Sequence, residues 1–183
     1  MTTISVRPLS AEDWALYRAV RLAALADAPE AFGSTLKQEQ AFTDDRWRER
    51  LTRRNQFVAQ DGAEVCGLIG IVPVGPGLAE LVSMWVRPDA RGRRVGDHLV
   101  LEALRWTSDQ GFPRVELWVA QGNDPAERLY ARHGFQRTGL VQPVREGEPA
   151  LEFAMARTEP VTAGQADSTV RHTPAPQAAA DRQ

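Results

Sequence analysis

Residues 79–99 read AELVSMWVRPDARGRRVGDHL, and this stretch carries more structural information than any other part of the chain. It begins as an apolar strand, breaks at Pro88 and passes through a turn of glycines and arginines. Beyond the turn, side chains suited to a core recur on one face of a helix at Val95, Leu99, Ala103 and Thr107. The segment is therefore predicted to form a strand, a tight loop and an amphipathic helix.

The loop of this segment suits an anion. The first N–H groups of a helix are unpaired and lie at the positive end of its dipole. Gly92 and Gly96 allow the backbone to approach closely, and residues 87–94 hold four arginines and one aspartate, a local charge of +3. Because arginine pairs well with phosphate, a phosphorylated ligand is predicted. A solvated, arginine-rich helix cap would explain the same spacing equally well.

Outward from this segment, strand-like and helix-like stretches alternate, which predicts a mixed α/β domain. The predicted strands are 4–8, 57–60, 65–72, 78–86, 115–119, 135–142 and 150–156. The predicted helices are 10–27, 43–54, 95–110 and 123–134, whereas 29–42 has no clean period. The domain is expected to span residues 1–157. Residues 158–183 contain three prolines and no aromatic residue, so they are predicted to form a disordered C-terminal tail.

The composition predicts a soluble intracellular domain. The chain has 183 residues, 22 basic and 24 acidic, with a formal charge of -2, so a protein that coats nucleic acid is not expected. The lone cysteine, Cys66, can form no internal disulfide, which favours a reducing compartment, and we expect a cytoplasmic location. Since no secretory signal and no apolar run of spanning length are visible, we expect no membrane association.

Several nucleotide and metal chemistries lack their motifs. The chain has one lysine, Lys37, and no Gly-x-x-x-x-Gly-Lys phosphate loop. Gly75-Pro-Gly77 begins like a dinucleotide fingerprint, but Glu80 stands where the third glycine belongs. The three histidines form no His-Glu-x-x-His pattern, so no metal site is expected.

Two motifs resemble those of a known family and follow one another in the family's order. Val86-x-Pro88-x-x-Arg91-Gly92-x-x-x-Gly96, followed by a long helix, resembles the acetyl-CoA pyrophosphate loop of the GNAT superfamily of N-acetyltransferases. A second segment lies downstream and resembles the family's other signature: Asn123-x-x-Ala126-x-x-Leu129-Tyr130-x-x-x-Gly134-Phe135. The resemblance covers about residues 4–157. It implies the GNAT fold, a central mixed, splayed β-sheet of six to seven strands flanked by about four helices.

The resemblance also implies binding roles, with acetyl-CoA as co-substrate and no metal. Backbone groups of Met84, Trp85 and Val86 would bind the thioester oxygen and the pantetheine arm, and Asn123 would cap its helix and contact that arm. The pyrophosphate would lie against Arg91, Gly92, Arg93, Arg94, Val95, Gly96 and Asp97. A glycine is usual in the family where this chain has Arg94. A positive φ there would strain the arginine by roughly 1 kcal/mol, whereas a helical first turn would tolerate it.

Two side chains are candidate catalytic groups. Glu80 lies six residues before Val86, where several family members carry a catalytic glutamate, and simple alternation would place it on the same strand face as Met84 and Val86. Its alternative role is an ordinary carboxylate facing solvent. By resemblance Tyr130 would donate a hydrogen bond to the departing thiolate. Alternatively, Tyr130 has only a packing role, on the face of its helix that is buried in the core.

The predicted function is transfer of an acetyl group from acetyl-CoA to a primary amine by direct attack. A small-molecule amine is favoured over a protein N-terminus or a lysine, and we also consider a homodimer. The alternative is a non-catalytic acyl-CoA-binding regulatory or interaction module. The irregular segment 29–54 is expected to build the acceptor side, with Glu30, Glu39, Asp44 and Asp45 as a solvated acidic surface. Trp118 would touch either the substrate or the core.

Overall fold

The computed structural model describes residues 3–159. The seven strands are β1 Ile4–Pro8, β2 Gln56–Asp61, β3 Glu64–Gly75, β4 Leu78–Val86, β5 Arg114–Ala120, β6 Gln136–Pro143 and β7 Leu151–Thr158. The five α-helices are α1 Trp14–Asp27, α2 Leu36–Gln40, α3 Asp44–Glu49, α4 Val95–Asp109 and α5 Asp124–Arg132. Short 3-10 turns lie at Ala11–Asp13, Pro29–Ala31 and Pro88–Ala90.

The strands form one mixed sheet in the order β1-β2-β3-β4-β5-β7-β6. All neighbours are antiparallel except β4 and β5, which run parallel. Their pairing extends only from Leu78–Arg114 to Leu81–Leu117, although β4 continues to Val86 and β5 to Ala120. The two strands therefore separate halfway along, and the predicted splayed sheet is confirmed.

Each face of the sheet carries a hydrophobic core. The predicted stripe of α4 is confirmed, because Val95, Leu99, Ala103 and Thr107 are all buried. Gly67 on β3 permits this packing, since a Cβ there would lie 2.8 Å from the Leu99 side chain. The opposite face is covered by α1 and α3, whose buried residues include Tyr17 and Trp47.

One local prediction in the segment 29–54 is wrong. The helix predicted over 43–54 ends at Glu49, because Leu51 and Thr52 bond to carbonyls three residues back and Arg54 takes a left-handed φ of 50°. Residues 29–42 contain α2, a five-residue helix whose Thr35 side chain accepts a hydrogen bond from the Gln38 N–H. A helix this short shows little periodicity.

The last described residues belong to the sheet. Strand β7 runs to Thr158, and the Glu159 N–H donates to the Pro113 carbonyl at 2.8 Å. The rest of the predicted disordered tail lies outside the described residues. Within residues 3–159, no helix has the length and apolar character needed to cross a membrane, and no cluster of three metal-ligating side chains occurs.

Candidate active site

A large cavity of about 1490 Å³ opens where β4 and β5 separate. It runs from the N-terminus of α4, along the unpaired half of β4, to residues 30–34 and the short helix α3. The predicted site residues that line it are Glu80, Met84, Trp85, Val86, Arg91, Gly92, Arg94, Val95, Gly96, Asp97, Asn123 and Tyr130. Arg93 does not line it. Trp118 is half-buried and lies on the cavity wall.

A β-bulge in β4 separates Glu80 from the residues after it. Gly70 pairs with Val82, but Leu68 pairs with Trp85, so β4 has one extra residue here, and Ser83 takes a φ of 58°. Met84 and Val86 pack on the same core as Ala79 and Leu81, the neighbours of Glu80. Since side chains alternate along a strand, Glu80 lies on the opposite face. The prediction that Glu80 shares a face with Met84 and Val86 is wrong, because a bulge reverses the alternation.

The bulge is contacted by a buried ionic cluster that sequence reasoning missed. Glu39 is fully buried and accepts hydrogen bonds from Arg21 at 2.7 Å and from Arg50 at 3.0 Å. Arg21 is 3% exposed and also donates to the Ser83 hydroxyl at 3.1 Å. The two guanidinium groups hold the pKa of the Glu39 carboxyl below its usual value against the opposing effect of burial. Glu39 is therefore a structural anion, and its assignment to a solvated acidic surface is wrong.

The loop before α4 has the geometry of an anion site. Arg94 takes a φ of 63° and a ψ of 16°, which is the left-handed conformation. Of the two conformations considered from the sequence, the positive φ is therefore the one adopted, and the helical first turn is not. The first helical hydrogen bond runs from the His98 N–H to the Arg94 carbonyl at 3.2 Å. The N–H groups of residues 95–97 come before this bond along the chain. These groups are free of helical acceptors and lie on the cavity wall.

Glycine is needed at two places beside this loop. A Cβ at Gly96 would lie 3.0 Å from the Leu129 side chain and 3.3 Å from the Met84 side chain, so glycine lets the helix end approach β4 and α5. A Cβ at Gly92 would meet nothing within 4 Å, and its φ of 77° favours glycine. The loop is thus tight against the protein on one side and open on the other.

Most of the loop's arginines are paired with carboxylates. Arg91 donates to Asp27 at 2.5 Å, and the same Asp27 oxygen accepts a hydrogen bond from the Trp85 indole at 2.9 Å. Arg93 donates to Asp61 at 2.5 Å. Arg87 binds Glu64 and Asp89 at 3.1 and 2.6 Å. The local charge of +3 counted along the sequence is thus largely balanced in the fold. In the described chain, Arg94 is the loop arginine without a carboxylate partner.

Helices α4 and α5 are joined by a second ionic cluster at the cavity wall. Asp97, in the first turn of α4, accepts hydrogen bonds from Arg132 at 3.0 Å and lies 2.9 Å from His133 Nε2. These partners hold the pKa of the Asp97 carboxyl below its usual value, although burial opposes them. The predicted cap of α5 is confirmed, because the Asn123 side chain accepts from the Ala126 N–H at 3.3 Å.

Tyr130 is buried in the core and also reaches the cavity. Its ring packs edge-on against Phe135 with centroids 5.8 Å apart, and the residue is 5% exposed. No residue in the described range bonds to its hydroxyl, which therefore can donate to a group in the cavity. Burial raises the pKa of the Tyr130 phenol well above its usual value, so the proton stays on the oxygen.

Glu80 is a buried residue of the cavity wall. It is 8% exposed and pairs in register with Val72 of β3 and Glu116 of β5. Glu116 is bound by Arg114 at 2.6 Å. Its alternative role as a carboxylate facing solvent does not agree with this burial.

A helix terminus suited to phosphate, an unpaired strand edge and a buried phenol around one cavity are typical of an acyl-CoA-dependent transferase. Residues 20–135 match the model of the acetyltransferase (GNAT) family. The chain therefore belongs to this family, and the predicted family and fold are confirmed.

Relatives and solved structures agree with this assignment. The chain is 32% identical over 136 residues to a mycothiol acetyltransferase of Streptomyces bingchenggensis, an alignment that covers 74% of this chain and 42% of the relative. The chain thus spans about two fifths of that relative's length. A ribosomal-protein-alanine N-acetyltransferase from Brucella melitensis matches with a TM-score of 0.69 and 20% identity, over 84% of this chain and 99% of the other. A PaiA N-acetyltransferase from Thermoplasma acidophilum, solved in complex with coenzyme A, matches with a TM-score of 0.64 and 18% identity, over 85% of this chain and 99% of the other.

The strained backbone at Arg94 predicts a stabilising substitution. Replacing Arg94 by glycine should raise the free energy of unfolding by roughly 0.5–1 kcal/mol, because glycine adopts a positive φ without steric cost. Urea denaturation measures the change. The matched variant is Arg93→Gly, which lies outside the left-handed region and should bring no gain. A loss of stability in Arg94→Gly would contradict the strain argument.

Proposed function

We propose that this chain transfers an acetyl group from acetyl-CoA to the primary amine of a small molecule by direct attack. The observation that carries the proposal is the continuous cavity, which joins the free helix N-terminus of α4 to Tyr130 and Glu80. The neighbour solved with coenzyme A and the family of the chain support the co-substrate. The mycothiol acetyltransferase relative supports a small-molecule acceptor over a protein.

The residues present fit acetyl-CoA. Residues 92–97, with Gly92 open to solvent and the N–H groups of 95–97 unpaired, would hold the pyrophosphate, and Arg94 would add a positive charge. The edge of β4 from Val82 to Val86, which β5 leaves unpaired, would bond to the pantetheine arm, and Asn123 lies across from it. Acetyl-CoA, when bound, would supply an acetyl thioester that reacts with a nucleophile. Asp97 would contribute its backbone N–H, since its side chain is bound to Arg132, whereas Arg93 pairs with Asp61 and does not line the cavity.

The acceptor nitrogen must lose a proton during transfer, as a C–N bond forms and the C–S bond breaks. An alkylamine with a pKa near 10.4 is only about 0.04% neutral at pH 7, so a proton acceptor near the nitrogen raises the reactive fraction. Glu80 is the buried carboxylate on the acceptor side of the cavity, and we assign it this role.

Tyr130 would stabilise the sulfur that leaves. A thiolate carries a full negative charge, and a positioned hydroxyl donor lowers the cost of forming it. Because burial raises the pKa of the phenol, Tyr130 would donate a hydrogen bond to the sulfur and keep its own proton. The proton that the thiolate finally takes would come from solvent or from the acceptor side.

The role of Glu80 predicts a pH-dependent loss of activity. Glu80→Gln should lower kcat/KM most at neutral pH, and the loss should shrink as pH rises toward the pKa of the amine, since the free base then forms without help. The control is Glu116→Gln, which lies beside Glu80 in register but is not on the cavity wall. An equal loss at every pH would argue against a base.

The activity itself is tested by release of free thiol from acetyl-CoA over a panel of primary amines, with mass spectrometry of the acetylated products. An amine-dependent release supports the transferase. A thermal shift with acetyl-CoA but no release with any amine would favour the non-catalytic acyl-CoA-binding module. The homodimer and the cytoplasmic location stay predictions from the sequence.

A further inference from the structure

We propose that Asn55 and Gln56 bind a second polar group of the acceptor, so that the acceptor is a primary amine carrying at least one further hydroxyl or amino group. The inference rests on the proposed function, because it names the class of substrate for the same cavity. Both residues are 5% exposed and both lie on the cavity wall.

Asn55 determines which kind of group can bind. Its Nδ2 donates to the Ile71 carbonyl at 2.5 Å, which fixes the orientation of the amide. The opposite atom, Oδ1, is buried and has no hydrogen-bond partner among the described residues. A carbonyl oxygen only accepts hydrogen bonds, so its partner must be a donor. A hydroxyl or an ammonium group fits this requirement, whereas an ionised carboxylate or phosphate would be repelled.

Gln56 supplies a second amide on the cavity wall. It pairs with Gly70, and a Cβ at Gly70 would lie 2.3 Å from Gln56 Oε1, so the glycine makes room for the amide to lie on the sheet. Its Oε1 is also buried without a partner in the part of the chain that the structure describes. Gly70 pairs in turn with Val82, two residues after Glu80, so Gln56 and Glu80 belong to the same face.

Two buried amide oxygens on the wall of one cavity have unmet hydrogen bonds. Native proteins pair the large majority of their buried polar atoms, so each exception calls for an explanation. These amides share a wall with the proposed base, in the half of the cavity that lies away from the α4 terminus. A ligand whose amine lies at Glu80 could therefore place a second donor at Asn55.

The test uses matched pairs of amines and the full chain with acetyl-CoA. The pairs are butylamine with 4-amino-1-butanol and with 1,4-diaminobutane, and cyclohexylamine with glucosamine. We expect kcat/KM to be at least about 10-fold higher for the member with the extra donor, because the plain amine leaves buried polar atoms unpaired. Gln56→Met and Asn55→Ala should lower this ratio about 10-fold, mainly through KM. We expect Gln56→Met to keep the fold even if Asn55→Ala weakens it, since Gln56 Oε1 has no hydrogen-bond partner among the described residues and methionine has a similar size.

The control is Gln60→Met, on the same strand but bound to Arg7 and absent from the cavity wall. It should leave the ratio unchanged. A kcat/KM ratio near one in the wild type would overturn the inference, and so would a ratio that Gln56→Met leaves unchanged. Either result leaves the proposed transferase activity intact and would mean that ordered water pairs with the two amides. If wild-type protein acetylates none of the amines, the proposed function fails. Calorimetric titration with 4-amino-1-butanol then tests the inference separately. We expect the wild type to bind this amine and Gln56→Met to bind it more weakly. No binding to the wild type, or equal binding to both proteins, contradicts the inference.

Discussion

Replacing Glu39 by glutamine should lower the free energy of unfolding by about 3–5 kcal/mol. The substitution removes the negative charge that Arg21 and Arg50 share. It leaves the buried Arg21 and the half-buried Arg50 without this counter-charge. Ordinary domains are stable by only about 5–15 kcal/mol, so the variant should unfold at a much lower urea concentration. Denaturation followed by tryptophan fluorescence measures the difference, since Trp47 lies in the same core.

The matched control is Asp45→Asn, because Asp45 also pairs with an arginine but its side chain is 95% exposed. An exposed pair contributes little, and this variant should change the free energy of unfolding by no more than about 0.5 kcal/mol. Equal effects in the two variants would contradict the structural role of Glu39.

The same carboxylate predicts how stability depends on pH. The folded pKa of Glu39 lies below its ordinary value of 4.5. Its contribution is therefore complete above about pH 4.5 and is lost as pH falls through the lower folded pKa. In Glu39→Gln the free energy of unfolding should lack this part of its decrease at acidic pH. Urea denaturation at several acidic pH values measures the difference between the variant and the wild type.

Replacing Tyr130 by phenylalanine should lower kcat by about 10-fold or more while the affinity for acetyl-CoA stays near that of the wild type. The variant removes one hydrogen bond that forms only as negative charge develops on sulfur, so the loss falls on the transition state. The ring still packs against Phe135, and no protein group loses a partner. Steady-state kinetics together with calorimetric titration of acetyl-CoA separate the two quantities.

Tyr17 offers a matched control, since it is the other tyrosine of the chain. It is fully buried and does not line the cavity. Tyr17→Phe should leave kcat unchanged. Wild-type turnover in Tyr130→Phe would remove Tyr130 from the mechanism. Because burial raises the phenol pKa, no loss of activity below pH 10 should be assignable to Tyr130 ionisation.

Features that depend on neighbours along the chain could be predicted from the sequence. The strand, loop and helix of residues 79–99 follow from apolar spacing and from the glycines of the loop, and the cap of α5 follows from Asn123 and Pro125. Most residues of the two motifs line the cavity, because each motif lies on an element whose position the fold determines.

Features that depend on distant partners could not be predicted. Glu39 looks like a surface acid in the sequence, and only the fold brings Arg21 and Arg50 to it. Likewise, the charge of the loop is balanced by Asp27 and Asp61, which lie more than thirty residues away in sequence. The bulge at Ser83 also escapes prediction, because a single extra residue leaves no mark on strand composition.

Helix α1 connects two parts of the proposed coenzyme site. At one end of the helix, Asp27 holds both the Trp85 indole on β4 and the Arg91 side chain of the loop. Six residues earlier, Arg21 donates to the hydroxyl of Ser83 on the same strand. One helix therefore holds both the loop proposed to bind the pyrophosphate and the β4 edge proposed to bind the pantetheine arm. Because α1 fixes these two parts relative to each other before the coenzyme arrives, binding should require little rearrangement of either.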